Sequence, residues 1–526
     1  FLFAFQNPEH ERAITDALRQ SLPDIEVSAS SEVQPEFREF ERFSTTVLNA
    51  YLQPVMAQYM TDLDSGLKSA APNASFGLNQ SSGGLMSVGR AQRLPVRTAL
   101  SGPAAGVVGA AHVATAAQRS DAITLDMGGT SADVALIRQA RVPTVFSREV
   151  GGFPIRMPMV DVETVGAGGG SVAWIDRDGL LKVGPKSMGA DPGPACYGLG
   201  GTQSTVTDAN LLLGRLGEDG LLGGTMKLDK AAADSAFDTL AQSLDVSRLR
   251  AAQGVIDIVV ANMVRAIRTI SVERGHDPRE YCLMPFGGAG PLHARDVARN
   301  LGIQEILVPP APGIICAHGL VVSDLLEDFV DSGRIEVNAG NVEHIRQILD
   351  SLSLQARKWF EQESILDHTR SIQLRLDMRY VGQNFELAVP LETTGNQVPE
   401  LVVDDLQQRF FRTHEGSYGY FNPDDPIEII NIRLTARGRL SPLADYRKLD
   451  PSDTAPVMAG ERQVVFHSDK PVNCPVFERS ELRAGHILTG PAVIAQLDAT
   501  TLLYPGDVGT VDESGTLLIT LTEDLN

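Results

Sequence analysis

One stretch constrains this chain more than any other: DAITLDMGGTSADVALI, residues 121–137. An apolar run ends on Asp126, a cluster of small residues follows, and a second apolar run returns. Two such runs joined by Gly-Gly read as a β-hairpin, with Gly128 and Gly129 supplying the positive φ of a tight turn and Asp126 capping it. The same residues suit another purpose. Successive backbone N–H groups in a glycine turn form a concave anion site, and a carboxylate at a strand end can hold a hydrated Mg²⁺ that bridges to phosphates. Both readings fit the hairpin, and the rest of the chain has to separate them.

At 526 residues the chain exceeds one ordinary core, so roughly two to four domains are expected. A hydrophobic content of 43% with 21% charged residues is that of a globular protein. The net charge of −21 argues against nucleic acid or an anionic membrane as the main partner. No apolar run reaches the ~18 residues of a spanning helix. Cys196, Cys282, Cys316 and Cys474 form no C-x-x-C pair, which fits reduced thiols in the cytoplasm rather than a disulfide framework or a zinc site. The chain opens on FLFAFQNPEHE, without methionine and without the basic start of a signal peptide. It is expected to be a piece of a longer polypeptide, with residues preceding Phe1.

The opening reads as a strand running into a helix, with Asn7 as cap and Pro8 at the first helical position. IEVSAS is expected to be a strand, and residues from Pro35 to about Leu67 a helix interrupted at Pro54. Ser101-Gly102-Pro103 opens a helix whose small residues would let it lie close to a sheet. Residues 151–215 are rich in loops. Ile256, Val260, Met263, Ile267 and Ile270 mark one face of a long helix that Gly275 ends. YCLMPFGGAGPLHARDVARNLGIQEILVPP then reads strand, glycine turn, helix, strand, a parallel crossover. Beyond about Asp331 a helix at 342–363 leads into alternating strands. Ile372, Leu374, Leu376, Met378 and Tyr380 share one face, and LLYPGDVGTVDESGTLLITL has the form of a hairpin. The expected division is an α/β part over residues 1–330 and a β-rich domain over residues 331–526.

Several familiar chemistries are absent. There is no H-E-x-x-H, no H-x-H and no G-x-S-x-G. GLLKVGPKS approaches a P-loop but has Pro185 where the lysine belongs. GAGGGS lacks the spacing and the downstream acid of a dinucleotide fingerprint. What remains is a pair of glycine turns: the hairpin, with Thr130, Ser131 and Asp133 after its glycines, and FGGAGP, which leads into a helix with Pro291 at its first position. A glycine turn at a helix N-terminus lets a ligand lie flat on the backbone, and the helix dipole favours anions there. Close packing of helix on strand would demand the same glycines.

DMGGTSADV resembles the second phosphate motif of the actin-like ATPase superfamily, and FGGAGP resembles its adenosine motif. More narrowly, the chain is similar to the ATP-binding subunit of the hydantoinase/oxoprolinase family. The matching segments include FAFQNPEHE, EFERFSTTVLNAYLQP, SSGGLMS, LSGPAAGVVGA, ETVGAGGGSVAWID, GADPGPACYGLGGTQSTVTDAN, PPAPGIICAHGLVVSD, DMRYVGQNFEL and GPAVIAQLDATTLLYPG, and they span essentially the whole chain. The resemblance implies an α/β fold of actin-like, ribonuclease H-like lobes followed by a β-rich C-terminal domain. It also implies a first phosphate motif on a lobe preceding everything here, which this chain lacks.

The activity implied is ATP-dependent opening of a cyclic amide such as a hydantoin, 5-oxoproline or a related lactam. ATP with Mg²⁺ would phosphorylate the carbonyl or enol oxygen, and a second, hydrolytic subunit would complete the reaction. On this resemblance Asp126 orients Mg²⁺ and water, Thr130 and Ser131 contact phosphates beside Gly128 and Gly129, and Gly287, Gly288, Ala289 and Gly290 flank the adenosine. Gly168, Gly169 and Gly170 are candidates to line the same cleft, and Asp133 is either a site residue or a turn residue. Two other functions suit the same motifs: the ATP-using subunit of a ketone carboxylase, and a non-catalytic nucleotide switch.

Overall fold

The computed structural model describes residues 1–74, 76–393, 396–440, 448–467 and 470–522. The fold is mixed α/β, and it divides into two compact units that are each discontinuous in sequence. One comprises Phe1–Ser101, Thr144–Met159 and Ser323–Ser441; the other comprises Gly102–Pro143, Val160–Val322 and Pro442–Asn526.

The second unit is built on an eight-stranded sheet. The expected hairpin is present: Ala122–Met127 pairs antiparallel with Ala132–Ile137, which pairs antiparallel with Glu163–Val165. On its other side Ala122–Met127 pairs parallel with Cys282–Phe286, and that strand with Glu305–Val308. Three antiparallel strands continued by parallel ones give the sheet of an actin-like lobe. Alternation sorts the side chains to two faces. Ile123, Leu125 and Met127 pack with the helices Arg248–Ile270 and Gly290–Leu301, whereas Ala122, Met284 and Phe286 pack with Ser101–Ala116.

The same sheet continues into the end of the chain. Leu517–Thr520 pairs antiparallel with Glu305–Val308 and with Val508–Val511, forming the expected terminal hairpin. These ladders place residues 442–526 in the unit of the glycine turns. The compact units are interleaved in sequence, and residue 330 lies inside the strand Leu325–Glu336 of the first unit.

In the first unit, Leu325–Glu336, Ile427–Gly438, Arg370–Tyr380 and Leu387–Leu391 form the main antiparallel ladder of a six-stranded sheet. Ile372, Leu374, Leu376, Met378 and Tyr380 are all buried, as their alternation implies, beneath the helices Val342–Gln362 and Val403–Tyr418. Charge is buried in this unit too. Glu36 accepts two hydrogen bonds from Arg433, at 2.6 and 2.8 Å, and one from Arg156 at 2.7 Å. Arg433 also donates to Asp377 at 2.7 Å.

Three local expectations are corrected here. Phe1–Gln6 forms turns instead of a strand. IEVSAS is not a strand: the Val27 carbonyl accepts from Arg19, the Glu26 carboxylate accepts from Gln53, and a short helix begins at Ser30. Glu39–Ala70 is one helix that runs through Pro54. Tertiary bonds hold it on either side of the proline: before it, Asn49 donates to the Arg93 carbonyl and accepts from Val96 N–H, and Gln53 accepts from Ser28; beyond it, Thr61 accepts from Gln92. This helix is inverted. Arg42, Thr45, Asn49 and Gln53 are buried, while Phe40, Val47, Tyr51, Val55 and Tyr59 are exposed by 57–78%.

Candidate functional site

The hairpin strands pair residue for residue up to Met127 opposite Ala132, leaving Gly128–Ser131 as the turn. Ser131 carbonyl accepts from Gly128 N–H at 3.1 Å. Contrary to expectation, neither Gly128 nor Gly129 has a positive φ. A Cβ added at either would meet no atom within 4 Å. Neither the backbone nor packing within the unit asks for glycine there. Small residues at these two positions leave open space in front of the turn.

The GAGGGS loop is mated to this turn. Gly169 N–H donates to Gly128 carbonyl at 3.0 Å, and Gly170 N–H to Gly129 carbonyl at 2.7 Å. A Cβ on Gly168 would lie 2.5 Å from Thr130 backbone atoms, so only glycine permits this approach. Behind the loop, Thr207 Oγ1 donates to the Gly169 carbonyl at 2.9 Å. Thr207 sits on a short helix whose capping box joins Thr205 and Asp208, and Asp208 also accepts from Ala195 and Cys196 N–H.

FGGAGP arrives on the same side. Gly287 has φ +74°, its N–H donates to Pro312 carbonyl at 2.9 Å, and Ala289 N–H donates to Met127 carbonyl at 3.0 Å. Gly290 is buried, and a Cβ there would lie 3.0 Å from the Leu125 carbonyl. Gly168 and Gly290 therefore serve backbone packing, while Gly128, Gly129, Gly169, Gly288 and Ala289 line a cavity of about 1150 Å³. That volume is on the scale of a nucleotide-sized ligand pocket. Asp126, Thr130, Ser131, Gly170 and Gly287 lie beside these lining residues in the chain and are not among them.

Other wall residues escaped the sequence reading. Tyr197, Thr207 and Asn210 come from GADPGPACYGLGGTQSTVTDAN, and Gln496 and Asp498 from GPAVIAQLDATTLLYPG. Their polar side chains between apolar runs were the available signal. Asn210 lies 3.1 Å from His293 Nε2, and burial pushes that imidazole down to about 3, so the ring is neutral and accepts from the Asn210 amide.

Asp126 is the next-to-last residue of its strand and half-buried. Burial pushes its carboxyl up to about 6, and Asp133, its partner across the ladder, adds in the same direction, while a hydrogen bond from Cys316 opposes them. Thr164 Oγ1 donates to Asp133. Two neighbouring carboxylates repel one another and so hold a proton more tightly, and a divalent ion would relieve both burial and repulsion. Among the described residues no group of three or more His, Cys, Asp or Glu could enclose a metal. Mg²⁺ does not require one, because it keeps most of its waters and binds through one or two carboxylates plus substrate phosphates. Asp126 fits that use.

The model of the Hydantoinase/oxoprolinase family matches residues 42–329, and that of the Hydantoinase/oxoprolinase C-terminal domain matches residues 334–521. Caprolactamase subunit alpha of Pseudomonas jessenii is 35% identical over 99% of this chain and 75% of its own length. The acetophenone carboxylase gamma subunit of Aromatoleum aromaticum is 30% identical, over 96% and 71% respectively. The crystal structure of the ATP-dependent caprolactamase from Pseudomonas jessenii superposes with a TM-score of 0.88 at 33% identity, covering 99% of this chain and 76% of that one. With two family models spanning most of its length and relatives matched over nearly all of it, the chain belongs to the hydantoinase/oxoprolinase family.

Proposed function

We propose that this chain is the ATP-using subunit of an enzyme that opens a cyclic amide. The observation that carries the reading is the open space before Gly128 and Gly129, where the fold itself has no need of glycine. With no side chain at either position, the backbone of the turn lies open to approach by phosphate oxygens. FGGAGP, at the start of the Gly290–Leu301 helix, suits the adenosine side, and Asp126, next to the lining residues, would hold a hydrated Mg²⁺ that supplies charge neutralisation.

An unstrained amide is resonance-stabilised and its nitrogen is a poor leaving group. Transfer of the γ-phosphoryl group to the amide carbonyl oxygen, with ADP leaving, turns that oxygen into a leaving group. Water then adds at the carbon and the ring C–N bond breaks as the nitrogen takes up a proton, leaving an acyl phosphate. A second water adds at the acyl carbon and phosphate departs with the original carbonyl oxygen, so lactam, ATP and two waters give amino acid, ADP and phosphate. Protein catalysis of phosphoryl transfer is mostly positioning and charge neutralisation. Glycine turns, Thr130, Ser131 and Asp126 supply those functions.

The second step falls to a partner subunit. Two relatives carry subunit names, alpha and gamma, and the inverted helix Glu39–Ala70 presents aromatic and aliphatic side chains to solvent, as a protein-binding face does. No helix among the described residues is long and apolar enough to cross a membrane; the four free cysteines support a cytoplasmic enzyme.

The acetophenone carboxylase relative favours one other reading, in which ATP activates a ketone and bicarbonate. Measuring ADP release by the complex with each substrate separates them. Release that depends on a cyclic amide supports the proposal. Release that needs ketone plus bicarbonate overturns it, and release indifferent to both leaves a nucleotide switch.

A further inference from the structure

Asp126 has a close neighbour at each carboxylate oxygen. Oδ1 lies over Gly287, where a Cβ would come within 2.4 Å of it. Oδ2 lies 3.4 Å from the Cys316 thiol. Cys316 belongs to the helix Ile315–Val322, which crosses Ser101–Ala116 in very close contact. A Cβ on Gly319 would sit 1.8 Å from the Ala105 carbonyl oxygen, and one on Gly109 would sit 2.5 Å from the Ile315 carbonyl oxygen. Gly106 leaves the space the thiol occupies, since a Cβ there would be 3.0 Å from Sγ. Of the four cysteines the other three are buried elsewhere.

The segment before this helix is tied to the cavity as well. Pro312 carbonyl accepts from Gly287 N–H, and Gly313 N–H donates to Asp498 Oδ2 at 2.8 Å. The backbone that presents Cys316 is therefore fixed by the adenosine-side turn, by a wall residue and by a glycine helix crossing. A thiol placed so firmly is an orienting group for the carboxylate it touches.

We propose that Cys316 is a positioning residue for Asp126: its S–H donates to Oδ2 and holds the carboxylate in the rotamer that receives a divalent cation. This rests on the reading of the cavity as an Mg·ATP site. Groups that orient a metal-binding carboxylate typically contribute about 10–100-fold in affinity. The thiol forms no covalent bond in this role, and a hydroxyl can replace it.

The test is Mn²⁺ binding, followed by electron paramagnetic resonance in the presence of a non-hydrolysable ATP analogue. Cys316→Ala is expected to weaken Mn²⁺ binding about tenfold, with the metal-free affinity for the analogue unchanged. Cys316→Ser, which keeps a donor, is expected to bind Mn²⁺ within about threefold of the unsubstituted protein. Equal Mn²⁺ affinity in Cys316→Ala overturns the proposal, as does an equal loss in both variants, which would indicate packing instead of hydrogen bonding. Should Cys316→Ala fail to fold by circular dichroism, a tenfold loss in folded Cys316→Ser overturns it. Absence of both analogue and Mn²⁺ binding in the unsubstituted protein overturns the nucleotide reading together with this one.

Discussion

Asp126 and Asp133 are directly opposite one another in the antiparallel hairpin, so two carboxylates end up side by side at the mouth of a glycine turn. Burial, reinforced by Asp133, raises the Asp126 carboxyl from 3.8 to about 6. A folded-state value above the unfolded one means that stability is full below about pH 4 and lost as pH rises through about 6. At pH 8 the ligand-free protein therefore carries an uncompensated charge. Asp126→Asn should raise its thermal midpoint at pH 8 by the equivalent of about 3 kcal/mol, and should abolish the further stabilisation given by Mg·ATP. A lower midpoint in the ligand-free variant would contradict this account of the carboxylate.

Two glycines forty residues apart should behave oppositely. Gly128→Ala meets no atom within 4 Å and has no positive φ to strain, so folding should change by less than about 0.5 kcal/mol. Its methyl group would nevertheless stand where phosphate oxygens approach, and ATP affinity should fall at least tenfold. Gly168→Ala drives a Cβ into Thr130, and should cost about 1–3 kcal/mol of stability along with nucleotide binding. Calorimetry beside thermal melts checks both, and unimpaired ATP binding in Gly128→Ala would return the hairpin to an ordinary turn.

The first unit has its own electrostatic lock. Glu36→Ala leaves Arg433 and Arg156 facing an empty buried site, at a cost of about 3–5 kcal/mol. The two guanidiniums hold the Glu36 carboxyl below its ordinary 4.5 against the opposing effect of burial. Its contribution is therefore present above about pH 4.5 and lost as pH falls below that value. Urea titrations at pH 7 and pH 3.5 should show the difference between Glu36→Ala and the unsubstituted protein shrinking in acid. A constant difference would sink the assignment.

The exposed face of Glu39–Ala70 makes a prediction about partnership. Tyr51→Glu with Val55→Glu places charge on an already solvent-facing stripe, so folding of the isolated chain should be nearly unaffected. Co-purification of the hydrolytic subunit should drop severalfold or vanish. Retention of that subunit at wild-type level would remove this helix from the interface.

Much of this was legible because local and tertiary preferences agreed. The hairpin at 121–137, the Arg248–Ile270 helix and the crossover through FGGAGP each carry the period of the element they form. Pro54 and IEVSAS misled because Asn49, Gln53 and Arg19 make bonds to distant residues that outweigh local propensity. The compact units were illegible for a similar reason. The pairing of Leu517–Thr520 with Glu305–Val308 spans more than 200 positions and leaves no periodic trace in either segment. The glycines of the site were visible as a group, but sequence could not separate those that face open space from those, like Gly168 and Gly290, that admit another backbone.

The most direct test follows the oxygen. A lactam labelled with ¹⁸O at its carbonyl is supplied with ATP and Mg²⁺ to the complex of this chain with its hydrolytic partner, and the released phosphate is analysed by mass spectrometry. Phosphorylation of the carbonyl oxygen, followed by addition of water at carbon, carries the label into inorganic phosphate in step with ring opening. Phosphate without label, with all the ¹⁸O retained in the new carboxylate, would contradict the account.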